Sequence, residues 1–100
     1  MTNMETLIRE EARLIILRSL QKESDARLNS SLLQRHLELF GISKARAWVH
    51  AEIRELEMRG AVKVSEVGSV LVAELTTRGE DHLVRRSFLD GVKRPSLSEA

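Results

Sequence analysis

The stretch from Gly41 to Gly60 constrains the fold of this chain more than any other. Apolar residues recur there at three- and four-residue intervals, which is the pattern of a helix with one buried face. They are Ala45, Val49, Ile53 and Leu56. Ser43 is expected to cap the start of this helix, and Gly60 stands where the left-handed residue after a helix usually stands. The sequence therefore predicts one amphipathic helix with a clear start and end.

The charges of this predicted helix are unevenly distributed. From Ser43 to His50 the chain carries two cations, Lys44 and Arg46, and no acid, whereas the second half mixes acidic and basic residues. A helix that is basic only at its start and follows a tight glycine turn is typical of helix-turn-helix proteins, which insert it into the major groove of DNA. The alternative is an ordinary amphipathic helix of a small domain.

The residues before Gly41 predict two helices. The first spans Met4 to Lys22, and its apolar block from Leu14 to Leu17 occupies more than one face. Leu14 and Leu17 are therefore candidates for a partner contact, the alternative being a helix buried within its own domain. Asn29 would cap a second helix from about Ser30 to Phe40, after which Ile42 fills the turn. The side chains that this second helix would bury are Leu33, Leu37 and Phe40.

The hydrophobic period changes from 3.6 to 2 after Gly60. Val62 to Val67 and Val70 to Leu75 flank Gly68-Ser69, a two-residue loop that favours a type II′ hairpin. Counting outward from this loop gives the pairs Val67 with Val70, Ser65 with Val72, and Lys63 with Glu74, the last as an ion pair. One face of the hairpin would pack on the helices. The other would expose Val67, Val70 and Val72 as an apolar patch suited to a partner.

A fourth helix is expected after the hairpin, because Thr77 and Glu80 are spaced as a capping box. Its apolar face would consist of Leu83, Val84 and Phe88. The remaining residues are rich in Gly, Lys, Arg, Pro and Ser, a composition that stays solvated. We therefore expect one domain, residues 1 to 88, and a flexible basic and polar tail, residues 89 to 100.

Two junctions in this chain carry a resemblance to a known family. They are Leu56-Glu57-Met58-Arg59-Gly60-Ala61-Val62 and Leu75-Thr76-Thr77-Arg78-Gly79-Glu80. The first resembles the exit from the recognition helix of MarR-type bacterial regulators, and the second resembles their entry to the helix after the wing. This resemblance implies a winged helix-turn-helix domain, mainly α with a small β-hairpin (α+β), in the order helix, helix, helix, hairpin, helix. The whole chain also resembles a small winged-helix protein of Mu-like prophages, at residues 27–29, 66–68 and 91–96.

The candidate DNA-binding residues lie at the start of the recognition helix. They are Ser43, Lys44, Arg46, Ala47 and His50. Arg46 would read a guanine edge and Lys44 would hold a phosphate. Further candidates for phosphate contacts are Arg54, Arg85, Arg86, Lys93 and Arg94. For Arg54 the alternative is an ion pair with Glu55 or Glu57, and for the other four it is a solubilising tail.

Other classes of function find little support in the sequence. The absence of cysteine excludes disulfides and thiolate metal sites, and the 3 histidines are too scattered for a metal motif. No nucleophile elbow, phosphate loop or paired-carboxylate motif occurs. There is no apolar run of the roughly 20 residues that a membrane span needs, and the acidic start does not resemble a signal peptide. We therefore expect a cytoplasmic non-enzyme without cofactor, metal or membrane partner.

Two hypotheses of function remain open at this stage. The first is a homodimeric protein that binds double-stranded DNA, of phage or prophage type, acting in transcription regulation or another DNA transaction. The second is a protein-interaction winged helix, in assembly or as an adaptor, that contacts no DNA. A net charge of only +1 and a wing tip, Glu66 to Val70, without any cation favour the second. Trp48 is expected to fill the edge of the core in either case.

Overall fold

The computed structural model describes residues 3 to 97, which form helices around one three-stranded antiparallel sheet. The elements are α1 (Met4–Gln21), β1 (Arg27–Asn29), α2 (Ser30–Leu39), α3 (Arg46–Met58), β2 (Val62–Val67), β3 (Val70–Leu75) and α4 (Thr77–Leu83). This order confirms the predicted fold class and adds the short strand β1, which the sequence did not predict. None of the described helices has the length and apolar character needed to cross a membrane.

Helix α1 is the centre of the domain. It contacts α2, α3, α4 and the sheet, so its middle is surrounded by the chain's own side chains. Leu14 and Leu17 are only 2% and 0% exposed, and the prediction that they contact a partner is therefore wrong. Four consecutive apolar residues lie on more than one face of α1, and other elements of the domain pack against each of these faces.

Helix α2 begins and ends near the predicted residues. The Asn29 side chain accepts a hydrogen bond from Leu32 N at 2.9 Å, which confirms it as the N-cap. Leu33, Leu37 and Ile42 are buried as predicted, but Phe40 is 56% exposed and the prediction that it is buried is wrong. Phe40 is the C-cap residue, outside the last helical turn, so its side chain no longer follows the buried stripe.

The hairpin has the predicted register. Val67 pairs with Val70, Ser65 with Val72 and Lys63 with Glu74 across β2 and β3. Gly68 has a φ of +58° whereas Ser69 does not have a positive φ, which is the combination that a type II′ turn requires. The order in the sheet is β1-β3-β2, so Glu74 also pairs with Arg27 of β1. Arg27 Nε lies 3.9 Å from the Glu74 carboxylate, which makes Arg27, not Lys63, its ion-pair partner among the described residues.

The two junctions that resemble MarR-type regulators pack against each other. Gly60, at a φ of +77°, ends α3 and donates its N–H to Glu57 O at 2.9 Å. The Thr76 hydroxyl donates to Gly60 O at 2.6 Å and caps α4 by accepting from Gly79 N at 3.1 Å, so the cap is Thr76 and the predicted cap at Thr77 is wrong. A Cβ added at Gly79 would overlap the backbone of Ala61, which explains why this junction needs a glycine.

The segment after α4 packs on the domain. Leu89, Val92 and Pro95 are buried, so residues 89 to 97 do not extend into solvent as the predicted tail would. Backbone carbonyls explain the difference: Arg59 Nε donates to Asp90 O at 2.8 Å, and an Arg13 nitrogen donates to Gly91 O at 2.7 Å. A polar composition did not prevent packing because a few apolar residues and the peptide groups supply the contacts. Residues 98 to 100 of the predicted tail lie outside the described residues.

His82 holds this C-terminal segment through both ring nitrogens. Its Nε2 lies 2.9 Å from Lys93 O, which can only accept, and its Nδ1 accepts from Leu89 N at 3.0 Å. The ring is fully buried, and burial lowers the pKa of His82 below the ordinary value, with Arg94 lowering it further. A proton added to Nδ1 would face the Leu89 N–H. The folded structure therefore requires a neutral His82 with its proton on Nε2.

This requirement predicts a loss of stability in mild acid. Because the pKa of His82 is lowered in the folded state, the unfolded chain binds more protons below its own pKa of about 6.5. The free energy of unfolding should be constant above that pH and fall as the pH decreases from about 6.5 to 5. Urea unfolding at a series of pH values measures it. In His82→Gln the protein should be less stable at pH 7 but should lose less on acidification than His50→Gln, and equal losses would contradict the assignment.

Candidate nucleic-acid interface

The turn before α3 holds the first two predicted DNA-binding residues. Helix α3 begins at Arg46, and its N-cap is Ala45, which has no side-chain hydrogen bond. The prediction that Ser43 caps the helix is therefore wrong, and Ser43 and Lys44 lie in the preceding loop. The loop is held from α2 instead, because Gln34 Nε2 donates to Lys44 O at 2.9 Å.

The outer face of α3 carries small residues in the first half of the helix. Side chains along a helix are about 100° apart, so the face opposite the buried Val49, Ile53 and Leu56 passes through Ala47 and Ala51. Ala47 and Ala51 are exposed, which agrees with this geometry, and Arg46 is exposed because it is the first residue of the helix. Ala51 was not among the predicted residues, although its spacing of four residues from Ala47 indicated the shared face. Small side chains here let the helix backbone approach a groove closely.

Arg46 is the exposed cation at the start of α3. Its side chain is exposed on the first residue of α3 and makes no hydrogen bond or ion pair within residues 3 to 97. Lys44 lies beside it, with its Nζ 5.5 Å from the centre of the Trp48 ring. Arg9 stacks on the same ring at 5.1 Å, and the rest of Trp48 packs against the core, as predicted. The two cations therefore differ: Lys44 is positioned by an aromatic ring and Arg46 is not.

His50 is half-buried at the side of α3. One ring nitrogen lies 2.9 Å from Ser30 Oγ, and this hydroxyl also accepts from Leu71 N at 3.0 Å, so the contact joins α3, α2 and β3. Burial lowers the pKa of His50, and the charges of Arg46 and Arg54 lower it further. His50 is therefore neutral at pH 7, and one of its two ring nitrogens is engaged within the domain.

Arg54 is neutralised by two acids. One guanidinium nitrogen lies 3.0 Å from Glu57 and the other lies 2.5 Å from Glu66 of the wing. Glu57 was predicted as a partner, whereas Glu55 pairs with Arg59 instead. The hairpin explains what the sequence could not show, because it folds Glu66 back over α3. The prediction that Arg54 contacts phosphate is untested, but in this state its charge is already compensated.

The second predicted basic cluster is also engaged by its own chain. Lys93 Nζ lies 2.8 Å from Glu11, and Arg86 lies 2.9 Å from Asp81. Arg85 donates to Pro95 O, and both Arg85 and Arg94 stack on the Phe88 ring, at 5.2 and 4.3 Å. Lys93 fastens the segment after α4 to α1 and Arg86 fastens it to α4, whereas Arg85 and Arg94 make their contacts within that segment. Their role as phosphate contacts stays a prediction.

The predicted partner patch on the wing is only partly exposed. Val67 is 59% exposed at the tip, whereas Val70 and Val72 are half-buried. Val72 lies between Asn29 of β1 and Ser65 of β2, and the unpredicted strand accounts for part of this cover. The apolar patch is therefore smaller than the hairpin alone would give, and its role as an interface stays a prediction.

A buried ionic cluster behind α3 was missed by the sequence analysis. Glu52 is 1% exposed, accepts from Arg13 Nε at 2.7 Å and accepts a second hydrogen bond from Arg9. Arg9 also pairs with Glu5 at 3.0 Å. The signal was present in the sequence, because Glu52 stands on the apolar stripe, three residues after Val49. This cluster orients α3 against α1.

Across residues 3 to 97, no three His, Cys, Asp or Glu side chains come together as a metal site.

These features define a winged helix-turn-helix domain. Solved structures share the fold. The structure of hsRosR-S1, in a complex, has a TM-score of 0.63 and 24% sequence identity over 73% of this chain. The structure of Sco3205, a MarR family transcriptional regulator from Streptomyces coelicolor in complex with DNA, has a TM-score of 0.63 and 20% sequence identity over 81% of this chain. The chain spans 64% and 52% of those two chains. No family model matches the chain.

The chain itself belongs to the family of the uncharacterized protein gp26 of Escherichia phage Mu. The two sequences are 36% identical over 89 residues, which cover 89% of this chain and 92% of gp26. Both resemblances found in the sequence, to MarR-type regulators in fold and to a Mu-like phage protein over the whole chain, are thereby confirmed.

The buried cluster generates a prediction about stability. Glu52→Leu leaves Arg13 buried without its acid and should lower the free energy of unfolding by about 3–5 kcal/mol. Replacing both residues, as Glu52→Leu with Arg13→Met, should recover part of this loss because no unpaired charge is left. Urea unfolding measures both changes. Glu57→Leu on the outer side of α3 is the control and should cost no more than about 1 kcal/mol; a similar cost for Glu52→Leu would refute the structural importance of the cluster.

Proposed function

We propose that this chain is a cytoplasmic winged-helix protein that binds double-stranded DNA as a homodimer, in transcription regulation or another DNA transaction of a phage or prophage. The observation that carries the proposal is the outer face of α3. It presents the small side chains of Ala47 and Ala51, and Arg46 is exposed at the start of the same helix without an acidic partner among the described residues. The winged-helix fold supports this role because it holds such a helix on its surface by a buried opposite stripe.

The mechanism follows from the dimensions of the groove. A major groove of about 12 Å admits an α-helix, and Ala47 and Ala51 allow the axis of α3 to approach the base edges. Arg46 then reaches guanine O6 and N7, while Lys44, in the turn before the helix, contacts phosphate. His50 faces the groove with the ring nitrogen that Ser30 does not use. In a dimer, the two helices would lie roughly 34 Å apart and read a pseudo-palindromic site.

Two relatives support the setting of this function. Sco3205 is a transcriptional regulator with the same fold that was solved in complex with DNA. The family member gp26 belongs to a phage, which supports a phage or prophage role for this chain. The DNA contacts are inferred from the residues of this chain.

The first prediction of this proposal concerns Arg46. A preferred duplex is first selected from a random library with the wild-type protein. Arg46→Ala should then bind this duplex roughly 5- to 150-fold more weakly, the equivalent of about 1–3 kcal/mol, while binding to random duplex changes less. Lys44→Ala should weaken both duplexes similarly and reduce the slope of log K against log salt by about one.

Fluorescence anisotropy over a salt series measures these differences. Arg27→Ala removes a cation that already pairs with Glu74 and serves as the control. An equal loss for Arg46→Ala on both duplexes would mean that Arg46 does not read bases. No duplex binding by the wild type at low salt would remove the whole proposal.

A second prediction concerns the acid at the wing tip. Glu66 holds Arg54 at 2.5 Å and places a negative charge near the proposed path of the phosphates. Glu66→Gln should raise the affinity for random duplex by roughly two- to fivefold, the range of an exposed ion pair, and steepen the salt dependence by about one. Glu74→Gln, which removes the same charge from the Arg27 pair, is the matched control. If the two variants behave alike, only net charge matters and Glu66 does not restrain Arg54.

A second candidate function is supported by the same wing. Val67 is exposed at a tip without cations, which suits a partner protein better than a minor groove. In that case neutralising Lys44 and Arg46 would change nothing, and Val70→Asp would disrupt capture of the partner. The DNA-binding proposal predicts the opposite pattern, so duplex binding by Lys44→Ala and Arg46→Ala, together with partner capture by Val70→Asp, separates the two functions.

A further inference from the structure

An exposed apolar surface of the described chain surrounds Phe40. Phe40 borders two clefts, of about 380 and 420 Å³. Leu7 is 50% exposed in the first cleft. Leu39, the last residue of α2, is 82% exposed and borders a third cleft. Monomeric proteins seldom leave several large apolar side chains together in solvent. The surface therefore requires an occupant.

The charges at the two ends of this surface are opposite. The first cleft is bordered on α1 by Glu10 and Glu11, and the second is bordered further along α1 by Arg18 and Lys22. Leu7, Glu11, Arg18 and Lys22 fall on one face of α1 at the helical spacing. Lys93 pairs with Glu11. Of the two acids at the first cleft, Glu10 is therefore the one without an ion pair among the described residues. The surface thus has an acidic end, an apolar centre and a basic end.

This arrangement is complementary to itself. A two-fold axis through the centre, near Phe40, would bring the acidic end of one copy against the basic end of the other and place the two α1 helices antiparallel. Each residue contact would then occur twice, as in an isologous interface. An unrelated partner protein would not need opposite charges at the two ends of this surface.

We propose that the surface around Phe40, between Glu10 of α1 and Lys22 directly after α1, is the interface between two copies of this chain. The proposal rests on the homodimer in the proposed function and names the surface that forms it. It replaces the predicted contacts at Leu14 and Leu17, which the domain buries, with side chains that are exposed. Phe40 of each copy packs against the partner copy's apolar clefts, and Glu10 faces Lys22 across the axis.

The first test is the oligomeric state of two matched variants. Sedimentation velocity over a range of concentrations should give a dimer for the wild type. Phe40→Asp should raise the dissociation constant of the dimer at least tenfold, because it places a charge at the centre of the contact. Val67→Asp makes the same change at the exposed wing tip and should leave the dimer intact. Circular dichroism should show that both variants keep their helices, since both side chains are exposed.

The decisive test is a charge exchange. Glu10→Arg alone and Lys22→Glu alone each place like charges across the axis, so each variant should dimerise more weakly than the wild type. A mixture of the two should restore dimers, as one variant's arginine meets the other's glutamate and the native pair remains at the opposite end. The control pair Glu80→Arg and Lys63→Glu, away from this surface, should dimerise like the wild type in every combination.

The outcomes separate this inference from the proposed function. A wild-type dimer that responds neither to Phe40→Asp nor to the charge exchange would overturn the inference and leave DNA binding by a dimer in place. Monomeric wild type at all concentrations would overturn both the interface and the homodimer, whereas duplex binding is judged by the anisotropy measurements. Dissociation by Val67→Asp but not by Phe40→Asp would assign the interface to the wing and overturn the inference.

Discussion

The carboxylate of Glu52 is the point on which the arrangement of this domain depends. It is buried on the inner side of α3 and is satisfied by Arg13 and Arg9 of α1. A charge so far from water is tolerated only if its partners are held in good geometry, so burying Glu52 restricts how α3 can rotate and slide on α1. Arg13 extends the same constraint to the C-terminal segment through Gly91 O. One ionic cluster thereby connects the first helix, the proposed recognition helix and the end of the described chain.

The wing is positioned mainly by contacts to the backbone. Gly60 ends α3, and Thr76 binds its carbonyl while capping the next helix. Gly79 lets that helix approach Ala61 without a Cβ in the way. The hairpin therefore leaves α3 and returns to the domain at one compact joint, and Glu66 is folded over Arg54 as a consequence. The motifs shared with MarR-type regulators are thus conditions for placing the wing, and they say little about what the wing contacts.

Charge pairing within the chain decides which of its many cations are available. A formal net charge of +1 hides a surface on which most arginines already have an acid, a carbonyl or an aromatic ring as partner. The start of α3 differs, because the acids of that helix lie in its second half and pair there with Arg54 and Arg59. The exposed side of α1 likewise has an acidic end, at Glu10, and a basic end, at Lys22. A protein of nearly zero net charge can therefore still present distinct surfaces for DNA and for a second copy.

The sequence by itself determined the helices, the hairpin register and the winged-helix order, because these follow from local periodicity, turn residues and caps such as Asn29 and Gly68. Only the tertiary structure decided where the side chains point when local rules give two answers. Leu14 is buried and Phe40 exposed, against expectation, because burial depends on which elements surround a residue and not on its own hydrophobicity. Strand β1 and the packed segment after α4 escaped prediction because both are held by hydrogen bonds to distant residues, as in Leu28 opposite Ala73 and Gly91 bound by Arg13. Contacts across such separations leave no periodic trace in the chain.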